Sequence, residues 1–348
     1  MKKIVIIGGG FAGTRIAKSL EKNRKTEITL IDAKEYYEFT PSIIKTITNP
    51  RYSRKIEVKH EEYLKNTKVI IGRAIRIEKK AVILEEGKKI NYDYLIITTG
   101  SNYNEIFKEG EKSIISRSKQ IKESYHKIRK AKKIVIIGGG IVGVELAGEM
   151  INEYPEKKVV IIHSDKRLMG KNNNKTSEYA ETYLKKKGIE IILKTKANNI
   201  NNEGIVRTDK GKVKSDFVIM ATGIIPNSKI LGKKKYIEVN KYLQVIGKEK
   251  VYSAGDVNDA DSEKSAQNAE RQADIVIKNI QRDIKGIPLT KYLTKKRVSV
   301  ISLGRTNGII EYGDVTITGI IPAILKKIIE IKTMIKYKNP LRVLFSWI

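Results

Sequence analysis

The most constraining feature of the sequence is a strand-and-glycine segment that occurs twice. Residues 4–16 read IVIIGGGFAGTRI, and residues 134–146 read IVIIGGGIVGVEL. Each copy begins with an uninterrupted run of apolar, mostly β-branched residues, which is typical of a strand buried on both faces of a parallel sheet. Glycines and then a helical pattern follow each run. The repeat therefore predicts two copies of one strand–turn–helix unit.

The glycines of both copies have the spacing G-x-G-x-x-G. They are Gly8, Gly10, Gly13, Gly138, Gly140 and Gly143. The first glycine permits a tight turn, the second lets a pyrophosphate approach the backbone, and the third lets the helix pack close to the strand. The phosphate then lies at a helix N-terminus, where free N–H groups and the helix dipole favour anions. We therefore expect two dinucleotide sites.

Two further pairs of segments repeat after the glycines. A second apolar strand follows each motif by about twenty residues. These strands are EITLID, ending in Asp32, and KKVVIIH, ending in His163. A later strand ends in Thr-Gly in both copies, as YLIITTG over 94–100 and FVIMATG over 217–223. The tandem arrangement predicts an α/β fold with two Rossmann-like domains.

Two acids indicate what the first copy binds. An acid at the end of the second strand, here Asp32, accepts hydrogen bonds from a ribose 2′-OH and repels a 2′-phosphate. FAD and NAD both meet that requirement. The later segment VYSAGDV over 251–257 ends a strand in Gly-Asp and can place Asp256 near a ribityl chain or a pyrophosphate. A helix N-cap is the alternative role for that acid.

The order of these motifs resembles the two-dinucleotide-binding-domain flavoproteins over residues 1–287 or so. The resemblance implies a discontinuous FAD domain over 1–105 and 230–287, an inserted NAD(P)H domain over 106–229 and a C-terminal region over 288–348. It also implies FAD as cofactor and NADH or NADPH as co-substrate. The predicted cofactor-binding set further includes Phe11, Ala12, Ala74, Thr99, Gly100 and Gly223.

His163 departs from the acid that is usual at this position in NAD-specific domains. Ser164, Lys166 and Arg167 follow it and are candidates to accept a 2′-phosphate. If they are solvated loop residues instead, the co-substrate is NADH. The sequence leaves both alternatives open.

Two segments resemble type II NADH:quinone oxidoreductases. EYYEFTPSIIK over 35–45 is similar to a stretch beside the flavin, which implies that Lys45 lies near the flavin phosphates or ring; the alternative is an ordinary loop and helix start. AQNAERQ over 266–272 resembles the segment on the quinone side, which implies that Gln267 and Gln272 flank a quinone. Uncharged amides can bind a quinone carbonyl without the cost of burying a charge.

The C-terminal part resembles the ferroptosis-suppressor-type flavoproteins, a mitochondrion-associated group related to apoptosis-inducing factor. The matching segments are VSVISLGRTNGI over 298–309 and HSDKRLM over 163–169. The implied activity is NAD(P)H-dependent quinone reduction. Glu145 would then orient the nicotinamide, although an acid near a helix N-terminus is favourable without that role. Lys327 would lie near the flavin, with a membrane-facing position as the alternative.

The tail of the chain has the pattern of an interfacial helix. Apolar residues recur at helical spacing and charged residues occupy much of the other face. The apolar set is Ile321, Ile324, Leu325, Ile328, Ile331 and Ile335, and the charged set is Lys326, Lys327, Glu330 and Lys336. Pro340 breaks the helix, and Leu344, Phe345 and Trp347 follow. The pattern predicts an anchor on an anionic membrane; the alternatives are docking on the protein itself or on a homodimer partner.

Composition narrows the remaining possibilities. The chain has no cysteine, which excludes a disulfide framework and a redox-active dithiol, and its three histidines make a metal centre unexpected. No apolar run is long enough for a transmembrane helix, and no signal peptide is visible. We therefore expect a cytoplasmic protein, peripheral on the inner face of the cell membrane.

The net charge of +30 fits either a polyanionic partner or a general compositional bias towards Lys, Ile and Asn. No nucleic-acid motif supports nucleic acid as the partner. Two alternatives to quinone reduction stay open: a flavin reductase for a protein electron acceptor, and a basic flavoprotein that binds nucleic acid.

Overall fold

The computed structural model describes residues 1–102, 124–200, 204–232, 235–296, 298–341 and 343. Within them, two parallel sheets form the centres of two α/β units, as the repeat predicts. Because both faces of these sheets are covered, their strands are rich in Ile, Val and Leu.

The first parallel sheet has five strands. They are β1 (Lys2–Ile7), β2 (Thr26–Asp32), β5 (Thr67–Ile71), β9 (Tyr94–Ile97) and β19 (Val251–Ser253). The order is β19-β9-β1-β2-β5, and every neighbouring pair is parallel. β19 comes late in the chain, yet it pairs with β9 over Val251–Ser253. The segment that carries Asp256 therefore returns to the first unit.

Helices and small antiparallel sheets surround this first sheet. The helices are α1 (Phe11–Leu20), α2 (Lys45–Thr48), α3 (Ser53–Ile56) and α4 (His60–Tyr63), with 3-10 turns at Thr40–Ser42 and Pro50–Tyr52. The added strands are β3 (Tyr36–Glu38), β4 (Glu57–Lys59), β6 (Ala74–Ile77), β7 (Ala81–Leu84) and β8 (Lys89–Asn91). β3 pairs with β4, and β6-β7-β8 form a meander.

The second parallel sheet has four strands. They are β11 (Lys133–Ile137), β12 (Lys158–Ile162), β13 (Glu190–Ile192) and β17 (Phe217–Met220), in the order β13-β12-β11-β17. The helices of this unit are α5 (124–130), α6 (Ile141–Glu153) and α7 (Asn174–Lys186). A meander of β14 (Ala197–Ile200), β15 (Ile205–Thr208) and β16 (Gly211–Lys214) accompanies them, and β10 (Ser101–Asn102) pairs with β18 (Ile225–Pro226). A further 3-10 turn covers Lys229–Leu231.

The last elements of the chain pack onto both units. They are α8 (Ala266–Ile284), β20 (Ser299–Ser302), β21 (Gly308–Tyr312), β22 (Val315–Gly319) and α9 (Ile320–Ile335). α8 lies along α1, where Arg15 donates to both carboxylate oxygens of Asp274 at 2.6 and 2.9 Å. β20-β21-β22 form an antiparallel sheet that contacts α6 and α9. The contact with α6 is close, because a Cβ on Gly148 would lie 2.8 Å from the backbone of Leu303.

The α/β fold with two Rossmann-like units is thus confirmed, with one difference at a strand end. β2 ends on Asp32 as predicted, whereas β12 ends at Ile162, one residue before His163. The domain limits near 105, 229 and 287 stay predictions. Leu344, Phe345 and Trp347 lie outside the described residues. Over the described part of the chain, no helix combines the length and the apolar character that crossing a bilayer requires.

Candidate functional site

The first glycine turn leaves open space where a pyrophosphate is expected. Gly8 has φ +102°, and a Cβ there would lie 2.4 Å from the carbonyl oxygen of Thr98. A Cβ on Gly13 would lie 1.8 Å from the oxygen of Gly8, so these two positions accept only glycine. At Gly10, by contrast, no atom lies within 4 Å of a built Cβ. The backbone is exposed there to a ligand.

The second turn has the same geometry. Gly138 has φ +114°, and its Cβ would lie 2.3 Å from the oxygen of Ala221, while a Cβ on Gly143 would lie 1.9 Å from Gly138. Gly140 again faces open space. α1 begins after Gly10 and α6 after Gly140, and neither helix has a side-chain N-cap. Both N-termini therefore present backbone N–H groups to an anion.

The Asp32 carboxylate is held beside the first turn. Its Oδ2 accepts from the backbone N–H of Gly9 at 3.0 Å and lies 3.0 Å from Nε2 of His60. His60 is fully buried, and its Nδ1 lies 2.5 Å from the hydroxyl of Tyr63, which lies 3.0 Å from that of Thr14. His60 could not be identified as a site residue from the sequence, because it lies in the four-residue helix α4, which is too short for a periodic pattern.

Asp256 lies at the same edge of the first sheet as the Thr-Gly ending of β9. Ser101 donates to its Oδ2 at 2.9 Å, and Gly100 before Ser101 has φ +67°. Thr99 donates to the backbone oxygen of Asn227 at 2.8 Å. The late Gly-Asp and the strand ending thus lie together, as the predicted FAD site requires.

The remaining predicted cofactor residues are spread over the two units. Phe11 begins α1, with its ring 5.5 Å from that of Tyr37, and Ala12 beside it is buried. Ala74 is half-buried at the start of β6. Gly223 is exposed after β17 with φ +112°.

The two predicted quinone amides differ in their surroundings. Gln272 is 1% exposed, and its Oε1 accepts from the backbone N–H of Gly255 at 2.7 Å and from Asn258 at 2.9 Å. Its Nε2 donates to Asp261 at 2.7 Å. This amide therefore holds the Gly255–Asp256 turn through protein contacts, and its role beside a quinone stays a prediction. Gln267 differs, because its Oε1 is buried and has no hydrogen-bond partner among the residues that the structure describes.

Glu145, near the start of α6, is anchored by the C-terminal part of the chain. Its Oε1 accepts from the backbone N–H of Ser302 at 2.9 Å and forms an ion pair with Lys326 of α9. Both side chains are buried. Lys327, the residue that the resemblance implied, is exposed. A step of one residue turns a helix by about 100°, so the lysine that reaches the site is Lys326.

Lys45 belongs to a second buried polar cluster. Its Nζ lies 3.1 Å from the hydroxyl of Tyr52 and 3.4 Å from Oε2 of Glu330. Glu330 is fully buried and accepts from Ser42 at 2.7 Å and from Tyr52 at 2.9 Å. Burial, and then the Glu330 carboxylate, raise the pKa of Tyr52 far above its usual range. The phenol therefore stays protonated and donates to Glu330.

Helix α9 buries part of its polar face and exposes several of its isoleucines. Lys326, Glu330 and Thr333 are buried against the protein. The exposed side carries isoleucines, with exposures of 57, 63, 51 and 52% for Ile320, Ile321, Ile324 and Ile328, together with the exposed Lys327 and Lys332. The helix is amphipathic as predicted, but part of its charged face turns inward.

The loop after β12 lies beside the second glycine turn. A Cβ on Gly139 would lie 2.8 Å from the ring of His163. Burial lowers the pKa of His163 below its usual 6.5, with Asp165 acting in the opposite direction. Arg167 donates to the backbone oxygens of Gly170 and Asn172 at 2.8 and 2.9 Å and also to the side chain of Asn174.

Comparison with known proteins agrees with this geometry. The family model for pyridine nucleotide-disulphide oxidoreductases matches residues 2–273. The chain is 32% identical over 345 residues to apoptosis-inducing factor homolog A of Dictyostelium discoideum, covering 88% of this chain and 84% of that protein. It is 29% identical to ferroptosis suppressor protein 1 of Taeniopygia guttata, covering 88% and 87%.

Solved structures share the fold over nearly the whole chain. The sulfide:quinone oxidoreductase of Aquifex aeolicus gives a TM-score of 0.83 at 21% identity, covering 98% of this chain and 92% of that one. NDH2 of Plasmodium falciparum in complex with NADH gives 0.82 at 15% identity, covering 99% and 97%. The chain therefore belongs to the pyridine nucleotide-disulphide oxidoreductase family, as an FAD-dependent oxidoreductase with a pyridine nucleotide as co-substrate.

Proposed function

We propose that this enzyme is an NAD(P)H:quinone oxidoreductase that works at a membrane surface. The observation that carries the proposal is the two-sided helix α9. Its inner side supplies Lys326 to Glu145, and its outer side exposes Ile321, Ile324 and Ile328. A long-chain quinone lives in the apolar phase that such an outer side would contact. One structural neighbour is by name a sulfide:quinone oxidoreductase.

The absence of cysteine supports a non-thiol acceptor. The sequence contains no cysteine, so the chain cannot pass electrons through a dithiol of its own. A bound flavin would accept the hydride of NAD(P)H and pass the electrons on to the acceptor. The protein itself would bind and orient the cofactor and the substrates and would set the charge around them.

We assign these tasks to the residues at the two turns. In this proposal the Gly10 turn, Asp32 and Asp256 hold FAD, and the Gly140 turn holds the pyrophosphate of NAD(P)H. Glu145 orients the nicotinamide, with its carboxylate fixed by Ser302 and Lys326. Gln267, whose carbonyl oxygen is buried without a partner in the described part of the chain, is the amide available to a ligand.

The proposal includes the predicted organisation and location. The FAD domain would comprise 1–105 and 230–287, the NAD(P)H domain 106–229 and the C-terminal region 288–348. The basic chain, at +30, would lie on the anionic inner face of the cell membrane.

The decisive experiment compares a water-soluble quinone with a long-chain quinone in anionic phospholipid vesicles. The variant carries Ile321→Ser, Ile324→Ser and Ile328→Ser, which remove the apolar surface and leave Lys326 and Glu330 in place. We expect it to lose vesicle binding and long-chain quinone reduction while it still reduces the soluble quinone. The matched control carries Ile75→Ser and Ile246→Ser, at isoleucines that are 52 and 61% exposed elsewhere.

Two outcomes would contradict the proposal. If the triple variant bound vesicles as well as the wild type does, the membrane role of α9 would be wrong. If NADH reduced the flavin but neither quinone reoxidised it, the acceptor would be wrong. A protein acceptor would then be tested next, and retention on DNA without turnover would favour the nucleic-acid alternative.

A further inference from the structure

In the second unit, the segment 163–170 lies at the position where a bound nucleotide is expected to place its ribose. In the first unit, a Cβ on Gly9 would lie 2.4 Å from Oδ2 of Asp32. In the second unit, a Cβ on the corresponding Gly139 would lie 2.8 Å from the ring of His163 and 2.5 Å from the side chain of Leu168. The backbone N–H of Met169 donates to the oxygen of Gly139 at 2.7 Å, which fixes the segment against the turn. His163 is therefore the spatial counterpart of Asp32.

An acid lies beside His163. Oδ2 of Asp165 is 3.5 Å from Nε2 of His163, within ion-pair range but without hydrogen-bond geometry. Burial keeps the pKa of His163 below 6.5, so the imidazole is mostly neutral at pH 7. The pair then carries the negative charge of Asp165. The second unit thus regains, two residues later, the charge that Asp32 supplies in the first.

One of the two basic residues that could bind a 2′-phosphate is engaged elsewhere. Arg167 donates to two backbone oxygens, of Gly170 and Asn172, and to the side chain of Asn174. These contacts close the loop on itself, which makes Arg167 a structural residue. The other cation of 163–167 is Lys166, which is exposed to solvent.

We propose that Asp165 makes this enzyme select NADH over NADPH. A carboxylate at this place accepts a hydrogen bond from a ribose 2′-OH and repels a 2′-phosphate. The inference rests on the proposed binding of NAD(P)H at the Gly140 turn and is independent of the electron acceptor.

The test is anaerobic single-turnover reduction of the flavin in the holoenzyme by NADH and by NADPH. We expect the wild type to be reduced more efficiently by NADH. Asp165→Asn keeps the shape of the side chain and removes its charge. Because Asp165 is exposed and therefore screened, we expect NADPH efficiency to rise about threefold to tenfold, with a smaller change for NADH.

The matched control is Glu156→Gln, which makes the same charge change at the opposite end of β12 and should leave the ratio of the two efficiencies unaltered. Three results overturn the proposal: wild-type enzyme that uses both nucleotides equally, an Asp165→Asn variant with an unchanged ratio, or equal losses with both nucleotides. Flavin that neither nucleotide reduces would also remove the proposed function. A quinone that fails to reoxidise the flavin would remove the quinone proposal alone.

Discussion

The ammonium group of Lys326 on α9 contacts the carboxylate of Glu145 on α6, although 181 residues separate them in the chain. The two side chains are 10 and 8% exposed, and Ser302 of β20 donates to the same carboxylate oxygen. The C-terminal region therefore completes the surroundings of Glu145 beside the second glycine turn.

Removing Lys326 should damage both stability and the reductive half-reaction. In Lys326→Met the buried Glu145 carboxylate keeps only the Ser302 donor, and breaking a buried ion pair costs about 3–5 kcal/mol. We expect a lower free energy of unfolding and slower flavin reduction by NADH, measured by denaturant titration and stopped-flow absorbance. In Lys326→Met/Glu145→Gln neither charge of this pair remains, so stability should largely return while the slow reduction persists.

Lys327→Met provides the matched control for this experiment. Lys327 is the adjacent residue but is exposed, so its loss should change neither quantity appreciably. If Lys327→Met slowed flavin reduction and Lys326→Met did not, the family-based expectation for Lys327 would be right and the ion pair would have no functional weight.

Alanine variants of Gly10 and Gly140 should distinguish the FAD site from the NAD(P)H site. Alanine fits at Gly10 and at Gly140 in the free protein, because φ is −80° and −72° and no atom lies within 4 Å of either built Cβ. In the complex, each methyl would occupy the path of a pyrophosphate. We expect Gly10→Ala to lose FAD, and Gly140→Ala to keep FAD but require more NADH, with an unchanged apoprotein melting temperature in both.

Each glycine variant controls for the other, since the predicted losses are reciprocal. Gly13→Ala, whose Cβ would lie 1.8 Å from Gly8, should instead unfold the first unit. Full FAD affinity in Gly10→Ala would show that the first turn does not bind the pyrophosphate.

The glycine turns and the strands before them were predictable because their physical requirements are local. A strand buried on both faces must be an apolar run, and a turn whose Cβ would collide with a carbonyl must be glycine. Asp32 was predictable for the same reason, since it ends such a strand beside the first turn.

The side-chain partners were less predictable because they depend on distant parts of the chain. Helical periodicity shows that Ile321, Ile324 and Ile328 share a face, but not that this face is the outer one. The sequence around a helical glutamine does not show whether its amide binds a ligand or, like that of Gln272, three groups of the protein. In each case the three-dimensional neighbours decide the role.

His60 should matter for FAD affinity through Asp32. Its Nε2 is one of two groups that hold Oδ2 of that carboxylate, the other being the backbone of Gly9. His60→Phe keeps a buried ring and removes both nitrogens. A lost hydrogen bond to a charged group is worth about 1.5–3 kcal/mol. Because this bond is also present in the free protein, only part of that free energy appears in binding, and we expect FAD affinity to fall by up to about tenfold in titrations of the apoprotein.

Two further variants test whether the change in FAD affinity is specific to the hydrogen bond of His60. His60→Gln retains a donor near the Nε2 position and should restore part of the affinity. His126→Phe changes an exposed histidine and should leave the affinity unaltered. Wild-type affinity in His60→Phe would mean that Asp32 needs no support from His60.

Glu149 should make stability depend on pH. Burial raises its pKa above the ordinary 4.5, assisted by Glu153 and opposed by Lys45, Thr48 and Arg305. Above pH 4.5 the folded protein therefore keeps a proton that the unfolded chain releases, and stability falls as pH rises towards the raised pKa.

Glu149→Gln removes this pH-dependent loss of stability. Relative to wild type we expect no gain at pH 4 and a gain on the order of 1 kcal/mol at pH 7, from urea unfolding at both pH values. Glu156→Gln, at an exposed acid, should gain nothing at either pH; equal gains in the two variants would attribute the effect to net charge instead of burial.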